Sequence, residues 1–468
     1  MTNIHVQFNW HNTRSLHELV KTLSDLGEFE SIAGTVAGRK HHSFLKEQTD
    51  INYDPLYCVQ DIHDDLLTRS VDEERIREIE ENYGTPFLWK NIIADRHYYN
   101  YKHDKQKLLL QGWFDFYLDF FNKFEPDIHL TSDVDSTYTM IPFDITQREF
   151  GISMTKKFLR IEDRIGLCQN KFDDFEEIHG LFSELKQGKK DISNYSQSRN
   201  KAKKFIKDFR SHGLKPSYAS NGNGNGNKLV YYLTEVIDHF YRQKFGDLKN
   251  DFYHNSTSNR ILSKLKNVGY QKYLDYLDIF QEPIYSEDYI YFPLHLQPEA
   301  STSVLAPMYM HQRDVIRDLS KSIPFNYKLY VKEHPSSPIR NPSYYKELAQ
   351  MPNVVLLEPN IDSHKLIKHS KLITTITGTA GLEAVLSKKP SIVFGRPHYR
   401  KLSMVSKVSS RNNISNIIKK SLNDHSHNET ELIYYLTALY ENSYSSLSDN
   451  NGETLENMAS DIITTINQ

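Results

Sequence analysis

This chain has few cysteines, no long apolar run and a small net charge, and each of these features argues against a class of protein. Only Cys58 and Cys168 occur among the 468 residues, which argues against a disulfide scaffold or a zinc site and fits a reducing compartment. No apolar run approaches 18 residues, so a transmembrane helix is not expected. The formal net charge is −3, which argues against a general nucleic-acid-binding protein.

The length of the chain predicts more than one domain, because a single hydrophobic core rarely extends over 468 residues. Alternating strands and helices predict an N-terminal α/β domain over residues 1–280, with a helical insertion at 157–280. The low-complexity tract Ser220–Asn227 is predicted to be a mobile loop. A second α/β domain is predicted at 285–425, followed by helices at 426–468. The start of the chain has no basic segment followed by an apolar core, so we expect no signal peptide and a cytoplasmic location.

Two strand ends in the second domain have residues suited to holding a phosphate. One predicted strand ends in Lys332, with His334 two residues further on, and both side chains can donate to an anion. Another runs into a loop of two glycines and two threonines, Thr377–Gly381, which leads into a predicted helix. Helix N-termini and the carboxyl ends of parallel strands are common anion and ligand sites. The pattern therefore predicts a bound nucleotide or nucleotide-sugar.

Four segments in this order resemble the successive motifs of the capsule polysaccharide biosynthesis glycosyltransferases, a family similar to the bacterial Kdo transferases of capsule export systems. The segments are Phe292–Glu299, Lys332–Pro335, Thr375–Glu383 and Ile392–Gly395. The resemblance covers about residues 285–400. It implies a GT-B fold, in which two Rossmann-like domains enclose a deep cleft and the C-terminal domain binds a nucleotide-sugar donor that is often CMP-linked. The resemblance also implies that the last helix, within 426–468, crosses back to the first domain.

The residues expected to bind the donor lie in these motifs. Glu383, in the first turn of the helix after the glycine loop, could accept a hydrogen bond from a ribose hydroxyl, as acidic residues do in other nucleotide sites. The full set of predicted donor or phosphate contacts is Gln297, Glu299, Lys332, His334, Pro335, Thr377, Gly378, Thr379, Ala380, Gly381 and Glu383.

The catalytic residue is expected in the N-terminal domain, where His11, Asp133 and Asp135 follow predicted strands and Asp95 stands beside Arg96. Asp133 and Asp135 are favoured by their position at a strand end, and a carboxylate could act as a base or as a covalent nucleophile. Asp133-Val134-Asp135 also matches the DxD pattern that holds a divalent cation in other glycosyltransferases, but a short motif is weak support for a metal site. We therefore expect no essential metal and no cofactor.

The sequence favours a glycosyltransferase that moves a sugar, with CMP-Kdo as one candidate donor, to an oligosaccharide or lipid-linked acceptor. A CDP-alcohol phosphotransferase of the teichoic-acid type is the enzymatic alternative, although this chain has Thr377-Gly378-Thr379 in place of that group's paired serines. The second alternative is a non-catalytic nucleotide-binding scaffold of the same fold. Association with the inner face of the membrane or with an export complex is left open, and no nucleic-acid partner is expected.

Overall fold

A six-stranded sheet organises the N-terminal part of the chain in the computed structural model, which describes residues 2–27, 29–84, 87–172, 174–213, 237–244, 246, 256–445 and 452–467, with His11 by its backbone alone. Its strands are β1 (Thr2–Phe8), β2 (Phe29–Val36), β3 (Tyr53–Cys58), β4 (Ile128–Thr131), β5 (Ile152–Phe158) and β6 (Ile165–Cys168). They lie in the order β3-β2-β1-β4-β5-β6. All neighbours are parallel except β5 and β6, which are antiparallel.

Helices connect these strands. They span Thr13–Leu26, Arg39–Lys46, Val59–Leu66, Glu73–Tyr83, Trp89–Ala94, His103–Phe124 and Thr137–Ile145, and the last continues as a π-helical turn, Thr146–Phe150. The helix Gly452–Ile466, near the end of the chain, packs against Thr13–Leu26. This is the course predicted for the last helix.

A second sheet, entirely parallel among its described pairs, organises the C-terminal part. Its strands are β7 (Tyr289–Pro293), β8 (Lys328–Lys332), β9 (Val354–Leu357), β10 (Leu372–Thr375), β11 (Ser391–Val393) and β12 (Val405–Lys407), in the order β12-β11-β10-β7-β8-β9. The surrounding helices span Glu176–Lys186, Ser196–His212, Thr257–Leu277, Ala300–Ser303, Gln312–Ser322, Pro342–Ala349, Ser363–His369, Ala380–Leu386, Ile414–Asn423 and Glu429–Glu441. The prediction of two Rossmann-like α/β units is confirmed.

Both sheets have the strand order of the dinucleotide-binding fold, in which the chain returns to the sheet centre after its third strand. The reversal lies between β1 and β4 in the first sheet and between β7 and β10 in the second. Loops leaving these two central strands diverge to opposite faces, which opens a crevice at the carboxyl ends of the strands. Each unit therefore has one place where a ligand site is expected.

The second sheet buries both of its faces. Ile290 and Phe292 of β7 belong to one hydrophobic cluster, whereas Tyr289 and Tyr291 belong to another. This division follows from the two-residue period of a strand. The Tyr289 ring stacks on the Tyr330 ring of β8 with their centroids 4.2 Å apart. These packed layers hold the strand ends of β7 and β8 in a fixed register, which positions the residues that follow them.

The predicted domain boundaries differ from the two units of the structure. The first unit comprises the described residues of 1–171, 224–257 and 443–468, and the second those of 172–223 and 258–442. Much of the expected helical insertion thus packs with the second sheet's unit, because Glu176–Lys186 and Ser196–His212 bury apolar faces against Glu429–Glu441. The tract Ser220–Asn227 lies outside the described residues, and its predicted mobility stays a prediction. In the part of the chain that is described, no helix combines the length and apolar character needed to cross a bilayer.

Two histidines, His5 of β1 and His129 of β4, form a stacked pair inside the first sheet's core. Both are fully buried, and their Nδ1 atoms lie 2.8 Å apart, so one ring donates a hydrogen bond to the other. Burial lowers the pKa of His129 to about 3, and burial followed by the nearby His129 lowers the pKa of His5 well below its ordinary value of 6.5. Both rings are therefore neutral in the folded protein near pH 7.

Acidification is expected to destabilise the protein through this pair. Below about pH 6.5 the unfolded chain binds protons at both histidines while the folded chain does not, so the free energy of unfolding falls as the pH drops. Each histidine contributes up to about 1.4 kcal/mol per pH unit. The free energy of unfolding, measured with urea between pH 7 and 4.5, should fall more steeply with decreasing pH for the native protein than for a His5→Gln, His129→Gln double variant. Equal slopes of unfolding free energy against pH would contradict the assignment.

Candidate functional site

His295 organises the loops at the switch point of the second sheet. It follows β7, and its Nε2 atom lies 3.1 Å from Thr375 Oγ1 and accepts hydrogen bonds from the backbone amides of Ile376 and Thr377 at 3.3 and 3.4 Å. An imidazole nitrogen that accepts two amide hydrogens carries no hydrogen itself, so the neutral ring is protonated on Nδ1. The loop after β10 is therefore attached to the loop after β7 through this ring.

The glycines of the loop after β10 are required by close packing. A Cβ on Gly378 would lie 2.9 Å from Thr375 Oγ1 and 3.2 Å from His295 Cε1. A Cβ on Gly381 would collide with the Tyr399 ring, whose hydroxyl donates to the Gly378 carbonyl. These internal contacts supply a structural reason for both glycines, beside the predicted approach of a ligand to the backbone.

A buried ion pair fixes the other side of the crevice. Glu333, 5% exposed, accepts hydrogen bonds from Arg340 Nε at 2.7 Å and from the Tyr345 hydroxyl at 2.8 Å. Arg340 Nη2 in turn donates to the His295 carbonyl at 2.7 Å, and its Nη1 lies 3.5 Å from Gln297 Oε1. The loop after β8 is thereby joined to the loop after β7. Arg340 was not predicted, because its partners are separated from it by up to 45 residues.

Removing Arg340 alone should be more damaging than removing the whole ion pair. Arg340→Met leaves the Glu333 carboxylate buried without its cation, which typically costs about 3–5 kcal/mol. The double variant Glu333→Gln, Arg340→Met removes both charges and should recover at least half of the lost thermal stability. The measurement is the unfolding midpoint of the full-length protein. A double variant less stable than Arg340→Met would contradict this account.

Lys332 and Glu383 lie close together beneath this edge of the sheet. Lys332 is 4% exposed, and its Nζ donates to Ser363 Oγ at 2.8 Å. Burial lowers the pKa of Lys332, while the nearby Asp362 and Glu383 carboxylates oppose the shift. Burial raises the pKa of Glu383 to about 7, against a hydrogen bond from Thr379 and the charge of Lys332. The structure thus brings together two predicted donor contacts that are 51 positions apart in sequence.

His334 is held in one tautomer by the turn that follows β8. Its Nδ1 accepts a hydrogen bond from the Ser336 amide at 3.2 Å. The neutral ring then carries its hydrogen on Nε2, the form that can donate to a phosphate oxygen. The ring is half-buried, and Pro335 beside it is exposed. His334 is thus a polar donor at the carboxyl end of β8.

The remaining predicted contacts mainly stabilise their own loops. Gln297 Nε2 donates to the Met310 carbonyl at 2.5 Å, and Ser301 Oγ donates to Glu299 Oε2 at 2.6 Å. Thr377 Oγ1 donates to the Ser301 carbonyl at 2.6 Å, which connects the loop after β10 to the short helix Ala300–Ser303. Thr379 and Ala380 begin the helix Ala380–Leu386. These residues therefore shape the edge at which the polar groups lie.

A second polar cluster lies at the switch point of the first sheet. Asn12 Nδ2 donates to Asp133 Oδ2 at 3.1 Å, and Lys156 Nζ, on β5, donates to Asn12 Oδ1 at 3.3 Å. Lys156 is 6% exposed, and burial lowers its pKa while the Asp133 carboxylate opposes that shift. The sequence did not indicate Asn12 or Lys156 as site residues, because their contact joins positions 144 residues apart.

Asp135 adjoins this cluster and is paired with Arg96 at 3.0 Å. Burial, followed by the nearby Asp133 carboxylate, raises the pKa of Asp135 to about 6, while Arg96 opposes the shift. His11 lies in the short helix Trp10–Asn12 between β1 and Thr13–Leu26, and its side chain is outside the described part of the structure. Asp133 and Asp135 lie in the same loop after β4. Asp95, the fourth candidate, is fully buried and accepts hydrogen bonds from two backbone amides at 2.9 Å, so it stabilises local structure.

Residues 284–437 match the family described as "Capsule polysaccharide biosynthesis protein". The resemblance predicted from the four motifs is confirmed over these residues. No curated protein matches the chain significantly by sequence.

The solved structures to which the chain is similar include two of KpsC from Thermosulfurimonas dismutans. The beta Kdo 2,7 transferase is 13% identical, with a TM-score of 0.41, and the match covers 81% of this chain and 96% of that one. For the beta Kdo 2,4 transferase the identity is 11%, the TM-score 0.38 and the coverage 67% and 79%. A glycosyltransferase from Rickettsia africae is 10% identical, with a TM-score of 0.27 and coverage of 100% and 99%.

Proposed function

We propose that this chain is a glycosyltransferase of capsule or surface polysaccharide biosynthesis that takes its sugar from a nucleotide-sugar donor. The observation that carries the proposal is the polar edge of the second sheet, inside the segment that matches the capsule family. There, Lys332 and His334 lie at the end of β8, and Glu383 lies in the first turn of the helix Ala380–Leu386. His334 would donate to a donor phosphate, with Lys332 supplying positive charge behind it. Glu383 would accept from a ribose hydroxyl, as carboxylates do at other nucleotide sites.

We assign general-base chemistry to Asp135 in the first unit. A base works best when its pKa lies near the working pH, and the pKa of Asp135 is raised to about 6. Asp133, held by Asn12 and Ser132, supplies the neighbouring negative charge. A carboxylate here would also serve as a covalent nucleophile in a retaining reaction, because both roles need the ionised form. The acceptor in this proposal is a glycan or a lipid-linked saccharide.

Ligand screening of the full-length protein tests the donor assignment. A ligand that binds the native state raises the unfolding temperature by mass action. The panel contains CMP, UDP, CDP, GDP and their sugars. The members of one nucleotide family should raise the unfolding temperature of the native protein. The rise should shrink in Glu383→Ala and persist in Glu347→Ala, a control on the exposed side of the same unit that pairs with Arg313 and Arg317. A panel with no response would contradict the nucleotide assignment.

Chelation tests the proposed independence from metals. If protein side chains neutralise the leaving phosphate, activity should be unchanged by EDTA. Complete loss on chelation, with recovery on adding manganese or magnesium, would instead indicate that Asp133 and Asp135 hold a divalent cation, since such ions prefer carboxylate oxygens.

The product distinguishes this function from CDP-alcohol phosphotransfer. A sugar transferred from CMP-sugar leaves CMP with the donor phosphate attached to the nucleotide. A phosphotransferase given CDP-alcohol would instead move the phosphate that carries the alcohol to the acceptor. If that phosphate is labelled and the label appears on the acceptor, the alternative function replaces the proposed one.

A further inference from the structure

The helix Thr257–Leu277 exposes an apolar face, which is unusual for a helix of a folded unit. Its large apolar side chains Ile261, Leu262, Leu265, Val268 and Tyr276 are between 40% and 84% exposed. Tyr273 is also 42% exposed, but Lys346 lies over its ring. Leu274 of the same helix is 3% exposed and belongs to the hydrophobic core of the second sheet's unit. The helix is therefore anchored by one side while a second apolar side faces away from that core.

The exposed residues form one continuous stripe. At about 100° per residue, the five side chains fall within an arc of roughly 120° on the helix surface. Leu274 projects from the opposite side of that arc, about 180° from its centre. A contiguous apolar surface on a folded domain commonly marks an interaction site.

Basic residues border this stripe on both sides. Lys264 lies next to Val268 on the helix surface, and Lys266 lies next to Leu262. Lys272 falls within the arc itself. The helix has four basic residues, with Arg260 the fourth, and a single acidic one, Asp275. Lysine stems can lie along an apolar surface while the ammonium groups reach a polar layer beyond it.

We propose that this face of Thr257–Leu277 docks onto an anionic phospholipid surface. An apolar stripe bordered by lysines is the pattern of helices that lie in a membrane interface, where the apolar side enters the acyl boundary and the cations contact anionic headgroups. The centres of protein–protein interfaces are, in contrast, depleted in lysine, whereas Lys272 lies inside this stripe. The docking is independent of the proposed transfer reaction, because it uses neither of the two polar clusters.

An environment-sensitive dye placed on the stripe tests the contact directly. Both native cysteines are buried, so Leu265→Cys provides a selective labelling site in the full-length protein. The dye emission should shift to the blue on adding vesicles of equal phosphatidylglycerol and phosphatidylcholine. The same dye at Phe325→Cys, a fully exposed position elsewhere in the unit, should not respond. Equal responses at both positions, or none at position 265, would overturn the proposal.

Vesicle sedimentation separates the apolar and charged contributions. Leu262→Gln with Leu265→Gln should weaken binding to the anionic vesicles at least tenfold, because burial of two leucines is lost. Lys266→Gln with Lys272→Gln should weaken it by about tenfold or more and reduce its salt dependence. Phe325→Gln should bind like the native protein. If the helix variants bind the vesicles as well as the native protein does, the proposal is overturned in favour of another surface. If the protein self-associates through the stripe without binding vesicles, it is overturned in favour of a protein partner. Since these vesicles contain no nucleotide or glycan, neither result depends on the transferase assignment.

Discussion

Replacing Asp135 by Asn is expected to lower turnover by about 10³-fold, within the range for removing a general base. The substitution keeps the size of the side chain and removes the charge that would take a proton from the acceptor hydroxyl. Donor binding should be unchanged, because every proposed donor contact lies in the second unit. The measurement is kcat together with the donor-induced rise in unfolding temperature. Asp119→Asn, an exposed aspartate paired with Lys123 on a helix surface, is the matched control and should be fully active.

The pH dependence of kcat/KM identifies which carboxylate is the base. If Asp135 acts in its ionised form, kcat/KM should fall tenfold per pH unit below about pH 6. Arg96→Met removes a charge that favours the ionised form, so the acid limb should move to higher pH. Asp133→Asn removes a charge that disfavours it, so the limb should move to lower pH. A 10³-fold loss in Asp133→Asn, with an active Asp135→Asn, would reverse the two roles.

Five strands of the second sheet were predictable because each is a short apolar run followed by polar residues. Strand β12 was missed, because its sequence Val-Ser-Lys is not an apolar run and lies in a basic segment that was expected to be helical. The predicted strands at 328–332 and 354–357 match β8 and β9, and the predicted helix at 380–386 matches its observed bounds. Such runs alternate with helical patterns at a spacing that permits only parallel pairing. The predicted helix at 304–321 was wrong at its start, since the observed helix begins at Gln312 after the short turn Pro307–Tyr309.

The first sheet was harder to predict where tertiary contacts override local pattern. The charged segment 157–212 was expected to be mostly helical. The end of β5 and all of β6 lie within it instead. Lys156 of β5 can be buried because Asn12, 144 residues away, accepts its hydrogen bond. Pro142 made residues 141–152 ambiguous, yet it lies inside the helix Thr137–Ile145. The burial of Lys156 does not follow from periodicity, because it depends on a partner distant in sequence.

The candidate site shows the same division. Lys332, His334 and Glu383 could be identified because they stand at strand ends and in a helix's first turn. His295 and Arg340 could not, because their roles depend on contacts with residues 375–377 and 333 that a sequence pattern does not encode. The glycines of Thr377–Gly381 were explained by ligand approach, whereas the structure also requires them for packing against His295 and Tyr399. Gly378→Val should therefore disturb the fold as well as the loop, and His334 is the cleaner residue for testing the phosphate contact.

His334→Ala is expected to lower turnover by about 10²-fold or more while leaving the protein folded, the usual cost of removing one donor to a developing negative charge. Two further variants separate the roles of the two ring nitrogens. The amide oxygen of Asn can replace Nδ1 as acceptor for the Ser336 amide, whereas the amide nitrogen of Gln can replace Nε2 as donor to the phosphate. His334→Asn should therefore be as impaired as His334→Ala, and His334→Gln should retain an intermediate activity. His369→Ala, an exposed histidine in the same unit, controls for loss of an imidazole and should be unaffected. If His334→Asn restores turnover, then His334 only positions the turn after β8, because the variant keeps the Ser336 contact and lacks the phosphate donor.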